Sequence, residues 1–380
     1  MRIVFEVDSM LTALQPMMQL VNRKNTMPIL DCVEIAIQEE GRVARLTCSD
    51  MDNELTTYAP LTEVEGGCTF CTDVSLFNQI LSKLKGRSLT LSTHEGTNKL
   101  RGTYEGGEFD IVLDDADAFP HVLSKLKDTS IAQVESASSI ALGLNKTFYA
   151  VASDELRPTL TGVYFDFTPS GLTFVGTDGR ALVKFVNKAQ VYDGFEDKSF
   201  IVPKKACGIL RTLLVGYDIP MTMAITPNNV VFYNDAFIFA CRLIEGKFPN
   251  YEKVIAISPA HFTYVNRKNL IDTLSRLSLF APQSELIIMK VAKGVMELSC
   301  QDIDYSISAK ETMPCRYEGK GIVIGMKCSL LQNALQNIDS EEVIFEMESN
   351  NKAALLKPCE VDAGCENTEH IILIMPMITD

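Results

Sequence analysis

Few residues in this chain could do catalytic chemistry, and their spacing limits what each can do. The only histidines are His94, His121, His261 and His370. A histidine serves as a general base or metal ligand when partners are placed beside it, and these four stand singly at turn-like or edge positions. Cys68-Thr69-Phe70-Cys71 is a lone Cys-x-x-Cys. A zinc site needs a second pair at ligand spacing, and Cys359 with Cys365 is too loosely spaced to provide it. In an extended stretch, residues i and i+3 point to opposite faces, so Cys68 and Cys71 are expected to be structural thiols. Carboxylates cluster at Glu39-Glu40, at Asp114-Asp115 with Asp117, at Asp193 with Glu196-Asp197, and at Glu341-Glu342. Two-metal hydrolysis needs chosen carboxylates on one face, whereas these fall in loops and turns, as solvated charge does. Thr177-Asp178-Gly179 invites a catalytic reading, but its echo Ser49-Asp50-Met51 points to a turn closed by an Asx bond. Phosphate loops, dinucleotide fingerprints and nucleophile elbows are missing from the sequence. The expectation is a protein with no catalytic residue, no metal and no cofactor.

The basic residues are more informative. A net charge of −14 argues against a chain that grips nucleic acid over its whole surface by neutralising phosphates. The positive residues nevertheless gather on helix-like segments: Arg23 and Lys24, then Lys83, Lys85 and Arg87, then Lys146 with Arg157, then Lys204, Lys205 and Arg211, then Arg267, Lys268 and Arg276, and Lys327. Complementing helix C-termini accounts for part of this. The remainder suits weak, sequence-blind phosphate contacts from a helical surface.

The elements carrying these residues follow from periodicity. Ser9 to Val21 has apolar residues at helical spacing, with Asp8 or Ser9 as cap. Asp73 caps a helix over 74–85, ended by Gly86. Further helices are expected over 138–152, over 203–214 with Pro203 in the first turn, over 267–279 and over 328–336. Between them lie strands at 33–38, 44–47, 55–59, 89–92, 100–104 and 109–113, then 162–167, 172–176, 221–225, 230–233 and 237–243, then 286–291, 295–300, 305–309, 343–347, 353–356 and 371–375.

These elements repeat. Asp50 answers to Asp178, an interval of 128, and Phe119-Pro120 to Phe248-Pro249, an interval of 129. Leu76 to Leu81 answers to Ala206 to Leu210 and to Ser329 to Leu335. A period this long is a whole small domain. The expected division is 1–125, 126–256 and 257–380, with short, packed joints near 123–131 and 255–262. No apolar run approaches the ~20 residues of a membrane helix. The N-terminus alternates like a strand and not like a signal peptide. With eleven scattered cysteines, this suggests a cytoplasmic protein in a reducing compartment.

The sequence resembles the bacterial DNA polymerase III β-subunit family, the sliding clamps. The resemblance runs the whole length. It rests on Thr26-Met27-Pro28-Ile29-Leu30, Arg157-Pro158-Thr159-Leu160-Thr161-Gly162-Val163, Gly176-Thr177-Asp178-Gly179-Arg180, Phe200-Ile201-Val202-Pro203-Lys204, Leu243 through Tyr251, and Ile374-Met375-Pro376-Met377, in this order and spacing. It implies an α+β fold of three tandem clamp domains, with helices lining a hole and antiparallel sheets outside. It also implies a head-to-tail dimeric ring, with Phe109 and Ile111 meeting Leu279 and Phe280 of the other subunit. A peptide groove would be lined by Leu160, Thr177, Gly179, Arg180, Leu182, Pro249, Lys253, Val254, Leu373, Ile374, Met375, Pro376 and Met377. Arg23, Lys24, Lys146, Arg157, Lys204 and Lys205 would face encircled double-stranded DNA. Implied partners are the replicative polymerase, the clamp loader, and other polymerases and repair proteins, with a nucleoid-associated location. The chain departs from the family pattern at Ala181, where a basic residue is usual, at Lys253, where arginine is common, and at its Ile378-Thr379-Asp380 end. The rival readings are a metal-dependent hydrolase built on the acidic turns and a scaffold unrelated to DNA.

Overall fold

The computed structural model describes residues 1–21, 27–93, 98–121, 129–195, 198–216, 218–281, 283–302, 306–360 and 367–378. Arg23, Lys24, His94, Glu196-Asp197, Cys365 and Thr379-Asp380 lie outside the described residues. The described α-helices are α1 (Val7–Leu14), α2 (Val74–Lys83), α3 (Ala137–Thr147), α4 (Lys204–Leu213), α5 (Tyr251–Ile255), α6 (Arg267–Leu277) and α7 (Cys328–Gln336).

The chain folds as two compact units, Met1–Ser138 with Gly208–Leu243, and Ser139–Cys207 with Ile244–Asp380. The first holds a five-stranded and an eight-stranded sheet, the second a nine-stranded and a four-stranded sheet. Every described strand pairing is antiparallel. The division cuts through the middle sequence repeat because sheets run on from one repeat into the next. In the first unit Asn53–Pro60 pairs with Phe237–Arg242. In the second, Ala181–Asn187 pairs with Thr368–Ile374. Phe5, Phe77, Phe232 and Phe239 are fully buried in the first unit, and Phe165, Phe174, Phe185 and Phe345 in the second. Each contributes roughly 2–3 kcal/mol by leaving water.

The differences from expectation have local causes. The first helix leaves α geometry at Leu14 and continues as a 3-10 turn, Gln15–Gln19, because Pro16 has no N–H to give. Its cap is Glu6, without a side-chain bond; Asp8 instead accepts from the Gly86 N–H at 3.0 Å. Pro203 closes a strand, and α4 begins after it. Ala181–Asn187 and Ile322–Lys327 are among several strands that the pattern does not predict. The first of these is buried on both faces and so lacks polar alternation.

Candidate functional site

The two Asx turns are closed by the same backbone-to-side-chain bonds. Asp50 Oδ1 accepts from the N–H groups of Asp52 (3.1 Å) and Asn53 (2.7 Å). Asp178 Oδ1 accepts from those of Arg180 (2.8 Å) and Ala181 (2.8 Å). Ser49 Oγ accepts from Met51 N–H at 3.3 Å, as Thr177 Oγ1 does from Gly179 N–H at 3.0 Å. These carboxylates close turns. Asp115 likewise caps the 3-10 turn Ala116–Ala118 through Asp117 N–H. Among the described residues no three His, Cys, Asp or Glu side chains converge as a metal site would require. Burial pushes the Cys71 thiol up to about 12, which keeps it protonated.

The second turn is held from below. Gly179 has φ of +84°, and a Cβ there would stand 2.6 Å from Arg157 Nη1, so glycine is the residue this position favours. Arg157 Nη2 donates to Asp178 O at 3.1 Å, and its Nε lies 3.5 Å from Asp154 Oδ2. Arg157, expected at DNA, thus also clamps the turn.

Beside the turn, Leu160, Leu182 and Leu373 pack into one buried cluster with Ile201, Phe248, Tyr251 and Leu355. Leu182 and Leu373 are direct strand partners. The Met375 N–H donates to Arg180 O at 2.8 Å, and the Met377 N–H to Gly325 O at 2.8 Å, so the Met375-Pro376-Met377 segment is tied at both ends. Thr177 Oγ1 donates to Ala181 O at 2.7 Å. Met375 follows Leu373 on the same strand face and is 43% exposed. Ile374 corrects the expectation: alternation turns it to the other face, into the core that holds Leu274 and Phe345.

Three aromatic rings missed in the sequence shape the rest. Phe248 stacks flat on Tyr164, centroids 4.5 Å apart, and Tyr251 meets Tyr164 edge-on at 6.1 Å. The Tyr251 hydroxyl donates to Asp166 Oδ2 at 2.7 Å. Burial raises the Asp166 pKa against the pull of that hydroxyl. Burial, then the Asp166 contact, raises the Tyr251 phenol. The Phe119-Pro120 echo of Phe248-Pro249 was the available signal for the first ring. Asn250 Oδ1 caps α5 by accepting from Lys253 N–H at 3.1 Å. That helix presents Lys253 and Val254 to solvent while Tyr251 and Ile255 anchor it in the cluster. Pro249 is exposed; Pro376 and Met377 are partly buried. The result is a buried apolar floor with exposed apolar residues at its margin, the surface an anchored peptide needs.

The remaining candidates have surroundings of their own. Lys146 is removed from the surface cations: its side chain is 11% exposed, donating to Asn337 O at 3.0 Å and pairing with Asp339. The Lys204 amine donates to Ser153 Oγ at 3.0 Å and stands over the Phe148 ring, with Lys205 exposed beside it. Phe109 lies on Gly107–Val112, an edge strand, with its ring against Gly102. Ile111 is buried and its neighbour Val112 exposed; Leu279 is 73% exposed and Phe280 38%.

Known proteins share this plan. Residues 136–250 match the DNA polymerase III beta subunit, central domain, and residues 253–377 its C-terminal domain. The chain is 27% identical over 385 residues to the beta sliding clamp of Treponema pallidum and 26% identical over 389 residues to that of Staphylococcus epidermidis, each match covering all of both chains. It superposes over full length on the sliding clamp of Pseudomonas aeruginosa bound to griselimycin, with a TM-score of 0.92 at 23% identity. It does so on the beta subunit of Thermotoga maritima with 0.88 at 19%, and these two likenesses speak to the fold. Two consecutive domains of one family account for well over half of the residues, and relatives of that family align from end to end, so the chain belongs to the DNA polymerase III beta-subunit family, the bacterial sliding clamps.

Proposed function

We propose that this clamp acts by topology: two copies join head to tail into a closed ring around duplex DNA, and the groove at Leu160, Leu182 and Met375 holds peptides of its partners. As a member of its family, the chain is a non-catalytic sliding clamp of DNA polymerase III. In the proposed ring each copy supplies three domains, 1–125, 126–256 and 257–380. The edge strand Gly107–Val112, with Phe109, meets the surface carrying Leu279 and Phe280. Heterologous contacts that close make rings, and joined edges leave no strand exposed. Arg23, Lys24, Arg157, Lys204 and Lys205 touch phosphates weakly. With a net charge of −14, the chain holds DNA by enclosure, which leaves it free to slide. Polymerase, clamp loader and repair proteins compete for the groove, and threading on the chromosome places the protein at the nucleoid.

The observation carrying the groove is the buried Leu160–Leu182–Leu373 floor beside exposed Met375. Methionine adapts its shape to different anchors. The test of enclosure is retention on closed circular DNA after loading, followed by linearisation. Release on cutting is expected; equal retention on both forms would sink the proposal.

A further inference from the structure

The first unit contains a cleft that shares no residue with the groove or the proposed ring contacts. Its volume is about 740 Å³, within the ~300–1,000 Å³ of small-molecule sites. It is bordered by Gln15 and Pro16 after α1, Tyr58 on Asn53–Pro60, Leu213 and Val215 at the end of α4, and Phe237. None of its lining residues is charged, although 22% of the chain is. A phosphate, carboxylate or ammonium group entering it would lose water without gaining a counter-charge.

The internal repeat explains why this space is open. Pro16 is the tenth residue from the start of α1, and Lys146 is the tenth from the start of α3. Leu213 and Val215 are tenth and twelfth from the start of α4, as Asn337 and Asp339 are from the start of α7. Phe237 pairs with Thr57 as His370 pairs with Phe185, and Thr57 and Phe185 are 128 residues apart, the interval between the two Asx turns. In the second unit this corner is plugged. The buried Lys146 side chain crosses it, donating to Asn337 O and pairing with Asp339. In the first unit the plug is gone: a short proline replaces the lysine, and valine replaces the Asp339 carboxylate that pairs with it. The side chains of Tyr58 and Gln15 form no hydrogen bond within the described residues, so a donor and acceptor pair stands uncommitted beside an apolar wall of Leu213 and Phe237.

We propose that this cleft binds a small uncharged ligand with an apolar ring body and one or two carbonyl- or amide-type polar groups. The test uses the full-length protein and two fluorescent naphthalene probes. One is the neutral ketone 6-propionyl-2-dimethylaminonaphthalene, the other the anionic 8-anilinonaphthalene-1-sulfonate. Micromolar binding of the ketone is expected, with the sulfonate weaker by about tenfold or more. Val215 is 74% exposed, so Val215→Trp closes the mouth without disturbing a core, which a wild-type melting curve checks. That variant should lose about tenfold in affinity for the ketone, and Tyr58→Phe roughly two- to fivefold. Met375→Asp, in the peptide groove, should change nothing, which separates this proposal from the groove reading. Absence of ketone binding at about 1 mM overturns the proposal. So does binding that survives Val215→Trp but is lost with Met375→Asp.

Discussion

Met51 holds a φ of +75° at the turn position where the second copy has Gly179. A side chain in this region costs about 1–2 kcal/mol, and glycine's extra unfolded-state entropy costs roughly 0.5–1 kcal/mol. Met51→Gly should therefore raise stability by up to about 1 kcal/mol, read from the denaturant midpoint. The reverse change, Gly179→Ala, adds the same strain and pushes into Arg157; a loss of roughly 1–2 kcal/mol is expected, with weaker peptide binding by titration. His370 makes a pH prediction. Burial, assisted by the nearby Lys146 charge, lowers its pKa to about 3, below the ~6.5 of a free imidazole. Its stability contribution is thus complete above pH ~6.5 and is lost progressively as pH falls toward 3, because only the unfolded chain takes up the proton there. His370→Leu should flatten the fall in melting temperature between those values. An unchanged slope would show that other groups set it.

At the scale of elements, α5 turns a buried anchor into a surface. Five residues cannot hold a helix alone; Tyr251 and Ile255 in the cluster and the Asn250 cap hold it. Asn250→Ala should cost about 1 kcal/mol and weaken groove peptides several-fold through displacement of Val254, measured by calorimetry. Here also lies the limit of what the sequence discloses. Most helices could be read because their apolar spacing is local, and both Asx turns because Asp and Gly chemistry is local. The Tyr164–Phe248–Tyr251 stack joins residues far apart in the chain, which no spacing rule connects. The family resemblance groups Ile374 with the groove because it identifies positions, whereas strand alternation decides which face each occupies. Lys146 looks like any helical lysine until its partners at Asn337 and Asp339 come into view from almost two hundred residues away.

For the whole molecule, the prediction concerns association. Leu279 is largely exposed on the single chain, so Leu279→Asp should leave the melting curve of the monomer nearly intact while light scattering shifts from dimer toward monomer. A dimer unaffected by this change would move the proposed interface elsewhere. Loading of the variant on circular DNA should fall with the dimer, since an open arc cannot enclose a duplex.

The continuity of sheets from one repeat into the next also sets the timetable of synthesis. Asn53–Pro60 finds its partner only when Phe237–Arg242 has been made, roughly 180 residues later, or about 10–40 s at ordinary ribosomal rates. Through that interval a nascent chain carries an unpaired strand edge, and the largely apolar Ala181–Asn187 faces the same wait for Thr368–Ile374. A chain released early would therefore be a sticky fragment open to proteases and chaperones, and these two larger sheets are each sealed by a strand that the ribosome delivers long after its neighbour.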